Sequence, residues 1–197
     1  FKTLTIFFLI CILTHPLLDS FTTYGTQLFL PFSDYRVTLA NLFIIDFVYT
    51  IPLLISFIAC LIIKTTNPVR QKWNRTALYI STIYLVLSMS SKAYANHVFA
   101  QSLREKGIKT EHWMSGVTPF NILLWYAVAE VDSGYYVGYY SHLDKDKNID
   151  YTFIKRNEES IAEFKSDYGV NRLKWFSNNY YVVEKVNNEI RFFTLKF

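Results

Sequence analysis

A histidine and an aspartate stand four residues apart where an apolar run near the start of the chain gives way to polar residues. They are His15 and Asp19, within LTHPLLDSFTTYGTQLFLPFSDYR, residues 13–36. On a continuous helix, residues at this spacing project from one face, so the imidazole nitrogen and the carboxylate oxygen can bind the same divalent ion. The alternative is a polar helix end, with Asp19 as a cap or turn residue. Pro16 favours that alternative, because proline disfavours helical geometry in the residue before it.

Three further ionisable residues, Asp34, Arg36 and Asp46, lie near the same predicted membrane edge. Ionisable groups beside a membrane segment are costly and usually face a partner or a wet cavity. We therefore treat them as candidate catalytic residues. Asp34 or Asp46 could orient a metal ligand or act as a base, and Arg36 could hold an anionic group. A structural ion pair between Arg36 and Asp46 is the alternative.

Three apolar segments must position these groups: Leu4 to Leu18, Leu42 to Ile63, and Ala77 to Met89. The second has roughly the 20 residues that cross a bilayer. The first is shorter, and the third reaches that length only if its helix continues through Lys92. The sequence therefore predicts about three transmembrane helices.

The connector between the second and third segments indicates which side of the membrane each end faces. Residues 64–75, KTTNPVRQKWNR, contain four basic residues and no acidic residue. By the positive-inside rule this connector is cytoplasmic. His15, the loop to Ala40 and the chain after about residue 92 are then external.

The second half of the chain changes to strand-like patterns. Five stretches rich in β-branched and aromatic residues alternate with turn signals at Asp132-Ser133-Gly134, Asp144 to Asn148 and Asn187-Asn188. One helix is expected to end near Gly107, and another to run from Glu158 to Tyr168 and end at Gly169. The fold class is therefore α+β: a helical membrane domain over residues 1–100, followed by a small, mainly antiparallel β-rich extracytoplasmic domain over residues 101–197.

Charge and cysteine content exclude several function classes. The net charge is +4, but Lys plus Arg and Asp plus Glu balance after residue 100, so nucleic-acid binding is not indicated. Cys11 and Cys60 both lie in apolar runs, which gives no disulfide framework and no cysteine zinc site. The segment Asp144 to Asp150 resembles the start of a calcium loop but lacks its glycine and bidentate acid, so we interpret it as a hairpin turn.

The segment THPLLDSFTTYGTQLFLPFSDYRV, followed by NLFIID and an apolar run, resembles the YdjM-like family of bacterial membrane-bound, metal-dependent hydrolases. The later stretches TPFNILLWYAVAE and DSGYYVGYYSHLD are similar to the tail of that family. The family is distantly similar to zinc-dependent phospholipase C and P1-type nucleases. The resemblance implies that His15 and Asp19 match a metal-binding motif. It also implies further ligands in segments that are absent from these 197 residues. Either an upstream part supplies them, or this chain is a non-catalytic remnant.

Two function classes stay open. The first is a metal-dependent hydrolase of the bacterial inner membrane that uses a divalent metal, with zinc expected, to act on an ester or phosphoester. Its partners would be the lipid membrane and a small-molecule or lipid-like substrate. The second is a non-catalytic membrane protein whose external β domain binds a partner or envelope component, with the polar cluster serving as a helix-packing network.

Overall fold

A computed structural model describes residues 1–187 and 189–196. The chain divides into two compact units. Unit 1 contains Phe1–Tyr94 and Val117–Leu123, and unit 2 contains Ala95–Gly116 and the chain from Leu124 onward. Helices dominate unit 1, and antiparallel strands dominate unit 2, which confirms the mixed α and β character predicted from the sequence.

The first helix, α1 (Lys2–Asp19), continues through Pro16. None of its residues is buried, so its apolar side chains face outward along its whole length. Among the described residues, α1 is the one helix that is long and apolar enough to cross a membrane. Its continuity past Pro16 keeps His15 and Asp19 on one helix face.

The second helix, α2 (Phe47–Ile62), is shorter than the predicted span Leu42 to Ile63. Its 16 residues give it a length of about 24 Å. The start of the predicted span is wrong because Asp46 has an extended backbone and caps the helix with its side chain. Before it, Leu42 forms an isolated bridge with Thr22. The prediction of about three transmembrane helices is therefore not confirmed by helix length and composition.

The third helix, α3 (Pro68–Glu105), is 38 residues long and includes the predicted segment Ala77 to Met89. It ends two residues before Gly107, whose positive φ of 66° is the left-handed conformation that glycine favours after a helix. Helix α3 contributes residues to both units.

Helices α2 and α3 form an antiparallel hairpin in unit 1. The Ser81 hydroxyl donates to the backbone oxygen of Tyr49 at 3.0 Å, and the Tyr84 hydroxyl donates to Asp46 at 2.8 Å. Ser56 on α2 and Ala77 on α3 are small residues that are almost fully buried. The outward faces of both helices carry large exposed apolar side chains.

Unit 2 contains a four-stranded sheet in the order β1-β2-β3-β4. The strands are β1 (Trp113–Val117), β2 (Leu124–Val131), β3 (Gly134–Ser141) and β4 (Tyr151–Lys155). β2 pairs antiparallel with β3, which pairs antiparallel with β4. A Cβ atom on Gly134 would lie 2.2 Å from the backbone oxygen of Ile154, so the close pairing of β3 with β4 requires glycine there. The predicted turns at Asp132-Ser133-Gly134 and Asp144 to Asn148 are confirmed, whereas β1 was not predicted.

A second antiparallel pair, β5 (Tyr181–Val186) and β6 (Glu189–Thr194), follows two helical segments. These segments are a 3-10 helix, Glu158–Phe164, and α4 (Tyr168–Phe176). The predicted single helix from Glu158 to Tyr168 is therefore wrong. Gly169 does not end a helix but lies in the first turn of α4, because the Asp167 side chain accepts a hydrogen bond from the Val170 amide and starts a new helix there. Asn187 has the positive φ expected of a turn, and Asn188 lies outside the described residues.

Candidate functional site

The His15 and Asp19 side chains meet on one face at the end of α1. His15 Nε2 lies 3.5 Å from Asp19 Oδ2, and the two side chains are 79% and 52% exposed. Two ligands of a tetrahedral zinc ion, each about 2 Å from the metal, lie roughly 3.3 Å apart. The pair therefore has the donor types and spacing of two metal ligands, and its exposure leaves room for further ligands.

No third ligand joins this pair within residues 1–187 and 189–196, where no group of three or more His, Cys, Asp or Glu residues could hold a metal ion. His15 and Asp19 thus fit two positions of a coordination sphere. A zinc site in a protein normally has three or four protein ligands. The remaining positions would have to be taken by water, substrate or other groups.

Arg36 is buried and contributes to the structure of the loop after α1. Its guanidinium donates a hydrogen bond to the backbone oxygen of Tyr24. Close by, the Thr38 hydroxyl donates to the backbone oxygen of Thr22 at 2.7 Å, and an isolated antiparallel bridge joins residues 26 and 37. These bonds tie the two halves of the loop together.

Asp46 is 1% exposed, and its carboxylate is fully engaged. Oδ1 accepts hydrogen bonds from the amides of Val48 and Tyr49, at 3.0 and 3.2 Å, and Oδ2 accepts one from the Tyr84 hydroxyl. These three donors stabilise the buried charge, and Arg36 is not among them. The ion pair considered from the sequence is therefore not what compensates Asp46.

Asp34 lies in the exposed part of the same loop. Its backbone oxygen accepts a hydrogen bond from the Gln27 side chain at 3.2 Å. Asp34 is the one of the three candidate catalytic residues whose carboxylate is exposed to solvent. The structure does not bring Asp34, Arg36 and Asp46 together with His15 and Asp19 as one described metal-binding group.

Unit 2 contains a charged cluster that sequence reasoning missed. Arg156 forms an ion pair with Glu130, and Lys174 Nζ lies 2.8 Å from Glu158 Oε1. Arg156 Nη1 is 3.8 Å from Glu158 Oε2, so the four charges form one network. Glu130 and Lys174 lie far from Arg156 in sequence, and no local pattern predicts their meeting.

Aromatic rings surround this charged cluster. The Arg156 guanidinium lies 4.7 Å from the centre of the Tyr135 ring, and the Tyr181 hydroxyl donates to Glu158 at 3.0 Å. The hydrogen bond from Lys174 lowers the pKa of Glu158, and burial raises the pKa of Tyr135 to about 12. Cluster members line two open cavities of about 890 and 510 Å³, which share His112, Glu130 and Arg156. Two cations and two anions neutralise one another, so this network stabilises unit 2 and offers no excess charge to a ligand.

The exposed apolar surface of α1 and of the α2–α3 hairpin, together with the candidate span α1, is typical of a membrane protein. The family follows from sequence comparison. Residues 1–96 match the family model described as YdjM inner membrane protein, so this part of the chain is similar to that family. The resemblance to the YdjM family stated from the sequence is thereby confirmed over residues 1–96.

No curated protein and no solved structure matches the chain. The more distant similarity to zinc-dependent phospholipase C stays a prediction.

Proposed function

We propose that this protein is a multi-pass inner-membrane hydrolase that depends on a divalent metal ion, with zinc as the expected metal and an ester or phosphoester as the substrate. α1 and the α2–α3 hairpin would insert in the bilayer, and unit 2 would face the external side. The match of residues 1–96 to an inner-membrane family supports the membrane part of this proposal.

One observation carries the metal-dependent part. His15 and Asp19 are held 3.5 Å apart on one face of a continuous helix, and both side chains are exposed. Catalytic zinc sites need positions open to water and substrate, and an exposed pair provides them. A bound zinc ion would polarise the ester oxygen and lower the pKa of a bound water towards neutrality.

The other candidate residues have different roles in this proposal. Arg36 and Asp46 hold the loop and the start of α2 in place through the contacts to Tyr24 and Tyr84. Asp34 keeps an exposed carboxylate and is the remaining candidate for a base.

Metal content tests the proposal. The full chain, purified in detergent and kept in equilibrium with a fixed micromolar concentration of free zinc, is expected to bind about one zinc ion per chain, since two protein ligands hold the metal reversibly. His15→Ala and Asp19→Ala should each lose most of it, because each removes half of the pair. Matched controls are His97→Ala and Asp132→Ala, which change exposed residues of the same types in unit 2. Absence of bound zinc in the wild-type chain, or unchanged zinc in both site variants, contradicts the metal site.

Hydrolysis is measured on the same samples. Chromogenic phosphate and carboxylate esters should be cleaved by the zinc-loaded chain and not after chelation, with activity lost in His15→Ala. If zinc binds but neither ester class is cleaved, the metal site stands and the assignment to these ester substrates fails.

A second candidate function is favoured by the contacts of Arg36 and Asp46. Because both are buried and tied into the fold, the polar cluster also has the character of a helix-packing network. In that case the protein is a non-catalytic membrane protein whose unit 2 binds a partner or envelope component. This alternative predicts that His15→Ala lowers the unfolding temperature in detergent without changing metal content.

A further inference from the structure

The turn that joins α2 and α3 carries a concentrated positive charge. Residues 63–75 contain four basic residues, of which three are exposed and Arg70 is half-buried: Lys64, Arg70, Lys72 and Arg75. We propose that this segment, the basic turn, binds the headgroups of anionic phospholipids. The inference rests on the insertion of the α2–α3 hairpin proposed above and does not depend on the metal site.

The chain offers these cations no acidic residue nearby in sequence. There is no Asp or Glu between Asp46 and Glu105, a stretch that covers α2 and nearly all of α3. The structure gives the four basic side chains no ion pair within residues 1–187 and 189–196. Lys72 and Arg75 are also three residues apart on α3, where like charges repel each other. An anion from outside the chain would relieve this repulsion.

Apolar surface adjoins the basic turn on both helices. Leu61 and Ile62, at the end of α2, are 71% and 77% exposed, and Leu78 and Tyr79 project from α3 on the far side of the turn. The cations of the basic turn therefore lie directly next to apolar surface that could contact the acyl chains of a bilayer. Phospholipid phosphates occupy the same depth, just outside the acyl chains.

Trp73 is a second indication that the basic turn lies at the depth of the lipid headgroups. Its side chain is 46% exposed among the basic residues. Tryptophan is enriched at the membrane–water interface because its ring is apolar and its N–H needs a polar partner. A soluble anion would not account for an exposed indole at this position, whereas a headgroup layer does.

The two ends of the hairpin differ in charge. Asp46 lies at the end opposite the basic turn, about 24 Å away along α2. At that end the carboxylate is buried and hydrogen-bonded, whereas most of the cations of the basic turn are exposed to solvent. Anionic lipid would concentrate at the basic end only, in the leaflet that the positive-inside rule assigns to the cytoplasm.

Lipid retention tests the proposal. The full chain is reconstituted in vesicles of phosphatidylcholine with a minor share of phosphatidylglycerol, and the lipids that stay bound are counted by native mass spectrometry. Wild type should retain phosphatidylglycerol enriched at least about threefold over the vesicle mixture, since each basic residue near a membrane surface adds attraction. The enrichment should fall as salt is raised.

The variant replaces the four basic residues of the turn with glutamine, and its retained lipid should match the vesicle composition. The control variant removes the same charge from unit 2 through Lys109→Gln, Lys145→Gln, Lys165→Gln and Lys185→Gln, all at exposed positions. It should retain the enrichment.

Three results would overturn the proposal: no enrichment in wild type, enrichment that persists in the basic-turn variant, or enrichment lost equally in the control. Loss of retained lipid on adding inorganic phosphate would identify a phosphate site instead. Zinc content measured on the same preparations reports on the proposed function separately, because the basic turn contains none of the metal candidates.

Discussion

Asp46 connects two helices of unit 1 through a single carboxylate. One oxygen caps α2 and the other accepts the hydroxyl proton of Tyr84 on α3. A buried carboxylate is costly unless its oxygens are hydrogen-bonded, and here both are. The residue that looked like a catalytic candidate therefore fixes where α2 begins and how it meets α3.

These contacts predict a graded loss of stability. Tyr84→Phe removes one hydrogen bond and should lower the free energy of unfolding by about 1 to 2 kcal/mol. Asp46→Ala also removes the cap and should cost about 1 kcal/mol more. Thermal unfolding in detergent measures both. Tyr79→Phe on the exposed face of the same helix is the control and should have no effect. Equal stability of Tyr84→Phe and Tyr79→Phe would show that the Asp46 contact contributes nothing.

At His15 and Asp19, the sequence predicted the geometry of the pair better than the contacts of the residues around it. The spacing of His15 and Asp19 was sufficient to place them on one face, and the helix continues past Pro16 as that required. The partners of Arg36 and Asp46 could not be predicted, since Tyr84 is 38 residues from Asp46 and only the folded hairpin brings them together.

Among the elements, β5 has both faces covered. Val182 packs against Val128 and Tyr135 on one side, while Val183 packs with Ile161 and Tyr181 in a separate cluster. A strand buried on both faces has a continuous apolar run, which explains why YYVV lacks alternation.

This double burial predicts that the two neighbouring valines are equally sensitive. Val182→Ala and Val183→Ala should each lower the free energy of unfolding by about 2 kcal/mol through lost burial and the cavity left behind. Glu184→Ala, at the next and exposed position, should change it little. Thermal unfolding of the three variants measures whether burial of both faces of β5 stabilises the protein. A large effect at only one valine would mean that the other face of β5 is open.

Strands were easier to predict than helix boundaries. β2 to β6 have alternating or β-branched patterns between turn residues, and these local patterns correspond to strands in the structure. The start of α2 was misjudged because apolar residues before Asp46 continue the pattern without being helical. The prediction that a helix ends at Gly169 is wrong. The Asp167 side chain caps a new helix there, and this cap stabilises the first turn of α4 although that turn contains a glycine.

At the scale of the whole molecule, charge and apolar surface are separated along the chain. Unit 1 carries the exposed apolar helices and the excess of positive charge, whereas acidic and basic residues balance after residue 100. This separation suits a chain in which one part lies in lipid and the other in water.

The separation predicts opposite accessibility for two single cysteines. In a background with Cys11 and Cys60 replaced by serine, Thr66→Cys lies in the exposed basic turn and Leu143→Cys in exposed unit 2. A membrane-impermeant maleimide added to intact spheroplasts should label position 143 and not 66, because the basic turn is expected in the cytoplasm. Lysed cells, in which both should react, are the control. Labelling of position 66 in intact spheroplasts would show that the basic turn is external and that the proposed topology is wrong.

The length of α2 has a consequence for the surrounding bilayer. A helix of about 24 Å is shorter than a hydrocarbon core of roughly 30 Å. A hairpin that crosses the bilayer with such a helix is shorter than the hydrocarbon core. Either the acyl chains beside it compress, or its long basic side chains extend towards the phosphates. If the hairpin spans the bilayer as proposed, the cap at Asp46, by shortening α2, would make the protein thin the bilayer around it and prefer lipids with short acyl chains.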